Sequence, residues 1–300
     1  MKKIGFVGLG LMGKPMAHTL LKAGYPVTLY DLREAPMAEL AADGAIPADS
    51  PKAVAAQADI VFISLPDSPD VERVVLGPNG IMEGGQPGLI VIDLSTISPG
   101  VAANIADGLQ QQGMHWLDAP VSGSVTGAAE GTLSIMVGGD EAVFQDCLEL
   151  LQVLGKTIVH VGGPGMGQVT KACSQIMTAT TLAAMGEALV LAAKAGADVD
   201  KVVEAMQGGA ANCWALQVRA PDILDGDLSP KFKAHMHHKD LGIVMEASKT
   251  YQVPLPISST VRELYGSMLA TERGDLDTSA IFTVIEDLAN FKGLSGRDSS

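Results

Sequence analysis

The sequence predicts an α/β protein, with a parallel sheet covered by helices in its first half and an all-helical second half. Three observations carry this reading. Short apolar and β-branched runs alternate with Ala-rich stretches of helical spacing as far as about residue 160. Turn residues fall where connections are needed, as at Ala23-Gly-Tyr-Pro26 and at Gly84-Gly85 with Pro87-Gly88. Beyond His160 the alternation stops and helical periods take over.

In order, the expected strands are Lys3 to Val7, Val27 to Tyr30, Ile60 to Ser64, Leu89 to Asp93 and His115 to Asp118. Alternation of strand and helix in this order implies parallel pairing. Leu133 to Val137 and Thr157 to Val161 add two more strands around a helix at Glu141 to Leu154. The glycine-rich junction Gly162 to Gly167 then leads into a long proline-free helical run from Gln168 to Ala195. Further helices are broken at Gly196, Gly208-Gly209, Pro221, Pro230 and Pro254, and the chain ends in a polar tail, Ser295 to Ser300. The expected divisions are residues 1–163, 164–195 and 196–300.

Composition narrows the function classes. With 300 residues, 47% of them hydrophobic, the chain can bury a substantial core. Its 34 acidic against 20 basic residues give a net charge of −14, which repels nucleic acid and anionic membrane and leaves a small molecule as the expected partner. Cys147, Cys173 and Cys213 are odd in number and lack metal-ligand spacing, which fits a reducing cytoplasm. The opening MKKIGFVGLG lacks the extended apolar region of a signal peptide. The apolar stretch Ile176 to Ala195 is studded with Thr178, Thr180, Thr181, Gly186, Glu187 and Lys194, so it reads as a buried helix before a membrane span.

The stretch Gly8-Leu-Gly10-Leu11-Met12-Gly13 follows the first strand and enters a helical run, Met16 to Ala23. In that setting Gly8 takes a tight turn, Gly10 lets backbone approach a pyrophosphate, and Gly13 permits close helix packing. The helix start offers free N–H groups to phosphate. Asp31, after the second strand, can accept both adenosine ribose hydroxyls. Strand, glycines, helix, strand and acid in this order identify a Rossmann-type dinucleotide site. Asp31 favours NAD; Arg33, two residues on, leaves NADP open, although its plainer reading is a solvated surface residue.

Later motifs say which kind of enzyme this is. Asp118-Ala-Pro-Val-Ser-Gly-Ser124, Gly162-Gly-Pro-Gly-Met-Gly-Gln-Val-Thr-Lys171 and His238-Lys239-Asp240-Leu-Gly242, with the opening glycines, resemble the β-hydroxyacid dehydrogenase family. The resemblance runs from Ile4 to about Leu288. It implies a Rossmann domain, a long interdomain helix, an all-helical C-terminal domain, and a cleft taking nicotinamide and a short 3-hydroxy acid or semialdehyde. By the same resemblance Lys171 is the catalytic lysine, Ser122 and Gly123 hold the substrate carboxylate, Thr96 and Lys239 line cofactor and substrate, and Leu65 and Pro66 form the loop on the adenosine side.

Chemistry agrees with that assignment. Carbonyl reduction needs a hydride from the nicotinamide and an acid beside the developing alkoxide. Lys171 lies in the first turns of an apolar helix, where desolvation and the helix's positive end both favour a lowered pKa. From spacing alone it also reads as a lysine reaching out to water. One turn later, Ser174 and Gln175 stand where the family usually has asparagine, and Gln175 is expected to support the substrate hydroxyl. Ser124 replaces the usual glycine and is expected to narrow the pocket. Trp214 reads as core from its type and as a candidate pocket wall from the resemblance.

Other readings are set aside on the residues. His235, His237 and His238 lack an acid or cysteine to complete a metal site, so no metal is expected. Ser122 lacks the Gly-x-Ser-x-Gly elbow of a hydrolase. The fourteen methionines read as core and subunit-interface filler. The expected activity is that of an NAD(P)-dependent semialdehyde reductase, with tartronate semialdehyde first and 3-hydroxyisobutyrate or 2-(hydroxymethyl)glutarate next. An imine reductase and a dinucleotide-binding protein without turnover are the rivals; Lys171 weighs against the first and an intact Ser122-Gly123 against the second. The resemblance also implies a homo-oligomer, a dimer or tetramer.

Overall fold

A computed structural model describes residues 2–295; the polar tail beyond Ser295 lies outside the described residues. The chain divides into two compact units, Met1–Lys171 and Ala172–Ser300. In the first unit the elements run β1 (Ile4–Val7), α1 (Gly13–Lys22), β2 (Val27–Tyr30), α2 (Glu34–Ala42), β3 (Ile46–Pro47), α3 (Pro51–Ala55), β4 (Ile60–Ile63), α4 (Ser68–Leu76), α5 (Ile81–Gly84), β5 (Ile90–Asp93), α6 (Pro99–Gln110) and β6 (His115–Asp118). They continue as β7 (Val121–Ser122), α7 (Val125–Glu130), β8 (Leu133–Gly139), α8 (Glu141–Leu154) and β9 (Gly155–Gly162) before α9 (Met166–Lys194).

Nearly every residue of β1, β4 and β5 is apolar because both faces of the sheet are covered. Successive side chains go to opposite cores. Ile4, Phe6, Ile60, Phe62, Ile90, Ile92 and Leu117 pack with α1, α7 and α8. Val7, Val61, Ile63, Val91 and Trp116 pack with α3, α4, α5 and α6. Each fully buried aliphatic or aromatic side chain contributes roughly 1.5–3 kcal/mol, so a one-residue slip in register would exchange the two sets wholesale.

The strand order is β3-β2-β1-β4-β5-β6-β8-β7, with β9 on β8. Pairing is parallel from β3 through β6, as the alternation of elements predicts. Two corrections follow. β3 and β7 are two-residue strands, too short to leave a periodic signal. β8 runs antiparallel to β6 and β7, because the short return through β7 and α7 is no full crossover.

The second unit holds the rest of α9 with α10 (Val199–Gln207), a π-helical turn at Ala215–Arg219, α11 (Ala220–Leu224), α12 (Ala234–Tyr251), α13 (Pro256–Ala270) and α14 (Phe282–Leu288). Pro221, expected as a break, instead starts α11, where its missing N–H costs nothing. α9 has the length and hydropathy of a membrane span, yet Ala179, Leu182, Ala183, Met185, Leu189 and Val190 are buried in this unit's core with Tyr265, Ile281 and Phe282. Its glycine Gly186 lies against the Phe282 backbone, 3.1 Å from where a Cβ would stand.

Glu286 of α14 is fully buried and accepts the backbone N–H groups of Gly293, Leu294 and Ser295, fastening the end of the described chain. Glu286→Ala leaves those donors without a partner, and a loss of about 2 kcal/mol is expected. Urea denaturation of the two proteins at neutral pH checks it; a difference within error would mean the carboxylate is not what holds the segment.

Candidate active site

The C-terminal ends of the parallel strands carry the loops that the sequence marked. Gly8 takes φ +94°, and a Cβ there would strike the Ser64 carbonyl. A Cβ on Gly13 would collide with the Gly8 carbonyl, so helix and loop can only close on glycine. At Gly10 a Cβ would meet nothing within 4 Å. Intrachain packing therefore does not require this glycine, whereas a cradle for a closely approaching ligand does. Leu11 is exposed and Met12 packs against the core.

Asp31 closes this loop from the next strand. Its Oδ2 accepts the Leu9 N–H at 2.6 Å, and its Oδ1 accepts both the Arg33 N–H and Nε at 2.9 Å. The Arg33 guanidinium also donates to the Leu9 carbonyl. Burial raises the Asp31 pKa, but the bonds from Arg33 and Leu9 outweigh it and hold the carboxyl below its ordinary value. Arg33, expected as a solvated surface residue, is exposed but engaged. Its place beside Asp31 follows from a two-residue spacing that returns the side chain onto that carboxylate.

The other loops are tied to one another. The Leu65 N–H donates to Ser95 Oγ at 2.8 Å, beside Pro66, and the Ser98 N–H donates to Ser68 Oγ at 3.0 Å. Thr96 is half-buried between buried Ser95 and Ile97. Lys171, 8% exposed, donates from Nζ to the Val121 carbonyl at 2.9 Å, next to Ser122 and Gly123. Its ammonium is thus turned onto the backbone of β7 rather than reaching out to water. Ser124 has a local duty: its Oγ caps α7 by accepting the Gly127 N–H at 3.2 Å, which gives a reason for serine there apart from pocket width.

In the second unit, Gln175 is buried and donates from Nε2 to Asp240 Oδ2 at 2.5 Å. Asp240 Oδ1 lies 2.9 Å from Lys239 Nζ. The glutamine amide expected to serve the substrate has its donor committed to Asp240, leaving its carbonyl oxygen as the group on offer. Ser174 is half-buried, with its carbonyl accepting the Thr178 hydroxyl. Trp214 is not core: it is half exposed, and Arg219 stacks on its ring at 5.1 Å. His237 and His235 take structural partners, Thr278 Oγ1 and the Gly274 carbonyl.

Two residues that sequence reasoning passed over organise the first unit's site. Asp118, with no exposed surface, ends β6 and accepts the N–H groups of Gly165 at 2.8 Å and Gln168 at 2.9 Å, so it caps α9 from about fifty residues away. Gly138 and Gly167 leave room for it, since a Cβ on either would stand within 2.8 Å of its carboxylate. Gln168 reaches back to the loop around Thr96. No local pattern announces either role, because every partner is distant in sequence.

Burial pushes the Asp118 pKa from 3.8 up to about 6, against the amide hydrogen bonds that favour its anion. The native state therefore holds this proton more tightly than the unfolded chain, and ionising the group opposes folding. Its contribution makes stability fall as pH rises from about 4 to about 6, by on the order of 3 kcal/mol at about 1.4 kcal/mol per unit. Asp118→Asn removes that slope. Denaturation curves of both proteins across this range test it, and parallel pH profiles would refute it.

Comparison with known proteins agrees with this geometry. Residues 3–162 match the family model described as the NAD binding domain of 6-phosphogluconate dehydrogenase. Residues 165–285 match that described as NAD-binding of NADP-dependent 3-hydroxyisobutyrate dehydrogenase. The chain is 41% identical to the 2-hydroxy-3-oxopropionate reductase of Escherichia coli, covering 97% of this chain and 99% of that one. It is 38% identical to the 2-(hydroxymethyl)glutarate dehydrogenase of Eubacterium barkeri, covering 98% of each. Among solved structures, the 3-hydroxyisobutyrate dehydrogenase of Mycobacterium tuberculosis with L-serine superposes at TM-score 0.89 and 34% identity, over 95% of this chain and 99% of that one. The glycine loop, Asp31 and the buried Lys171, together with these likenesses along nearly the whole chain, make the protein an NAD(P)-dependent oxidoreductase of the β-hydroxyacid dehydrogenase family.

Proposed function

We propose that this enzyme reduces tartronate semialdehyde (2-hydroxy-3-oxopropionate) to glycerate, with Lys171 as the proton donor. The observation that carries the chemistry is the buried Lys171 ammonium held on the Val121 carbonyl, beside Ser122 and Gly123. The substrate is supported by the 41% identity to a reductase of that name, with the 2-(hydroxymethyl)glutarate enzyme's likeness close behind.

Gly8, Gly10 and Gly13 would cradle the pyrophosphate, the N-terminus of α1 would offer it N–H groups, and Asp31 would accept the ribose hydroxyls. Leu11, Met12, Leu65, Pro66, Thr96 and Lys239 would complete the cofactor's surroundings. When bound, the cofactor supplies the hydride. Ser122 and Gly123 grip the substrate carboxylate through a hydroxyl and backbone N–H groups, with Ser124 fixing the turn by its cap on α7. Lys171 gives its Nζ proton to the carbonyl oxygen as negative charge grows there, and takes it back in the oxidative direction. The Gln175 carbonyl oxygen, its amide nitrogen held by Asp240, accepts a hydrogen bond from a substrate hydroxyl. Ser174 and Trp214 are proposed as neighbouring walls. A reducing cytoplasm and a homo-oligomer complete the reading.

Lys171→Ala is expected to abolish turnover, by about a hundredfold or more, while NADH affinity stays within about twofold. Near-normal turnover in that variant would remove the assigned role. Asp31→Ala is expected to weaken NADH and narrow its preference over NADPH, because the carboxylate that repels a 2′-phosphate is gone and Arg33 is released toward it. Steady-state kinetics with both cofactors reads this, and an unchanged ratio would count against Asp31 at the ribose. NADH oxidation against tartronate, methylmalonate and succinate semialdehydes, with glyoxylate as a smaller control, tests the substrate. Turnover concentrated on methylmalonate semialdehyde would transfer the assignment.

A further inference from the structure

Gln168 is 1% exposed and its side chain touches no charged group in the hydrogen bonds it makes. Its Oε1 accepts the Ile97 N–H at 3.1 Å, and its Nε2 donates to the Ser95 carbonyl at 2.9 Å. These are the two peptide groups on either side of Thr96. One planar amide thus grips the backbone across that residue much as a neighbouring strand would. Both partners are backbone groups of fixed polarity, so the amide can sit only one way round: reversed, it would set donor against donor and acceptor against acceptor.

The other end of Gln168 is equally fixed. Its own N–H donates to Asp118 Oδ2 at 2.9 Å, and Lys171 follows three residues later, on the next turn of α9. The Ser95 end of the loop is held independently, by its N–H on Asp93 Oδ1 at 2.9 Å and its Oγ on the Leu65 N–H. Gln168 is therefore the side chain that ties the Thr96 peptide to the helical turn carrying Lys171.

The geometry points to Gln168 as a positioning residue of the reaction: it sets Thr96 in register with Lys171, and so sets the nicotinamide half of the cofactor against the proton donor. This rests on the roles proposed above for Lys171 as proton donor and for Thr96, whose place lining both cofactor and substrate sets it at the nicotinamide half. A glutamine suits the position because it supplies a donor and an acceptor in one plane without burying a charge. Leucine would leave the Ser95 carbonyl and Ile97 N–H unpartnered. Glutamate would lack the donor until protonated, when its O–H can replace the Nε2–H toward Ser95.

The test separates the two halves of the cofactor. ADP-ribose reports only on the half assigned to the glycine loop and Asp31, whereas the fluorescence of bound NADH reports on the nicotinamide. In Gln168→Leu, ADP-ribose affinity is expected within about twofold of wild type, with NADH affinity and turnover each down about tenfold or more. In Gln168→Glu, turnover relative to wild type is expected to recover as pH falls from about 8 to about 6, because burial raises the carboxyl pKa and protonation restores the donor. Wild-type NADH affinity and turnover in Gln168→Leu would overturn the proposal. So would parallel loss of ADP-ribose and NADH binding, or a ratio for Gln168→Glu that does not change with pH. If Gln168→Leu does not fold, the pH profile of Gln168→Glu decides alone. The ligand titrations need no substrate, so a wild-type protein inert toward every semialdehyde would count against the proposed function while leaving the role of Gln168 to be read from binding.

Discussion

The buried carboxylate of Asp118 is the constraint on which the first unit's site depends. A helix as long as α9 begins with N–H groups that no intrahelical carbonyl can satisfy, and these lie in the interior of the first unit. Asp118 meets two of them from the end of β6. The same residue opens the segment that leads to Val121 and Ser122, and Val121 in turn holds Lys171 on α9. Strand end and helix start are therefore braced at two levels, by a carboxylate on the helix N-terminus and by a lysine on the strand's continuation.

Placing a full charge there is costly, as the upward shift of Asp118 shows. The arrangement is tolerable because the helix N-terminus is the positive end of its dipole and because glycines at 138 and 167 let backbone and carboxylate approach. Electrostatics elsewhere follows the same economy. A chain of net charge −14 has to bind an anionic dinucleotide and a carboxylate substrate. Local positive potential is available in a glycine loop opening onto a helix start, and Arg33 and Lys171 are each held by an oxygen on a neighbouring group.

Much of this was readable without coordinates. The opening glycines, the acid following β2 and the apolar strands point to a parallel nucleotide-binding sheet because each is a short-range requirement: a positive φ at Gly8, a close contact at Gly13, burial of Phe6 on one face of the sheet and Val7 on the other. Lys171 was singled out by the family resemblance, since its spacing alone also reads as a lysine reaching out to water. Residue type alone pointed Trp214 to the core because type speaks for average burial, whereas Arg219 stacks on this ring at half exposure. β3 and β7 escaped because two residues cannot display a period, and the reversal of β8 depends on how a short connection turns, which no strand's own sequence records.

The sequence by itself determined the layout: which segments are strands and helices, and where the dinucleotide fingerprint lies. These are consequences of backbone sterics and of periodic burial, acting over a few residues at a time. Only the tertiary structure decided the partners of Asp118, Gln168, Gln175 and Ser95. Their hydrogen bonds join groups 30 to 73 residues apart in the chain. A polar side chain's composition says that it needs a partner when buried, but only the folded path of the backbone says which one comes within reach.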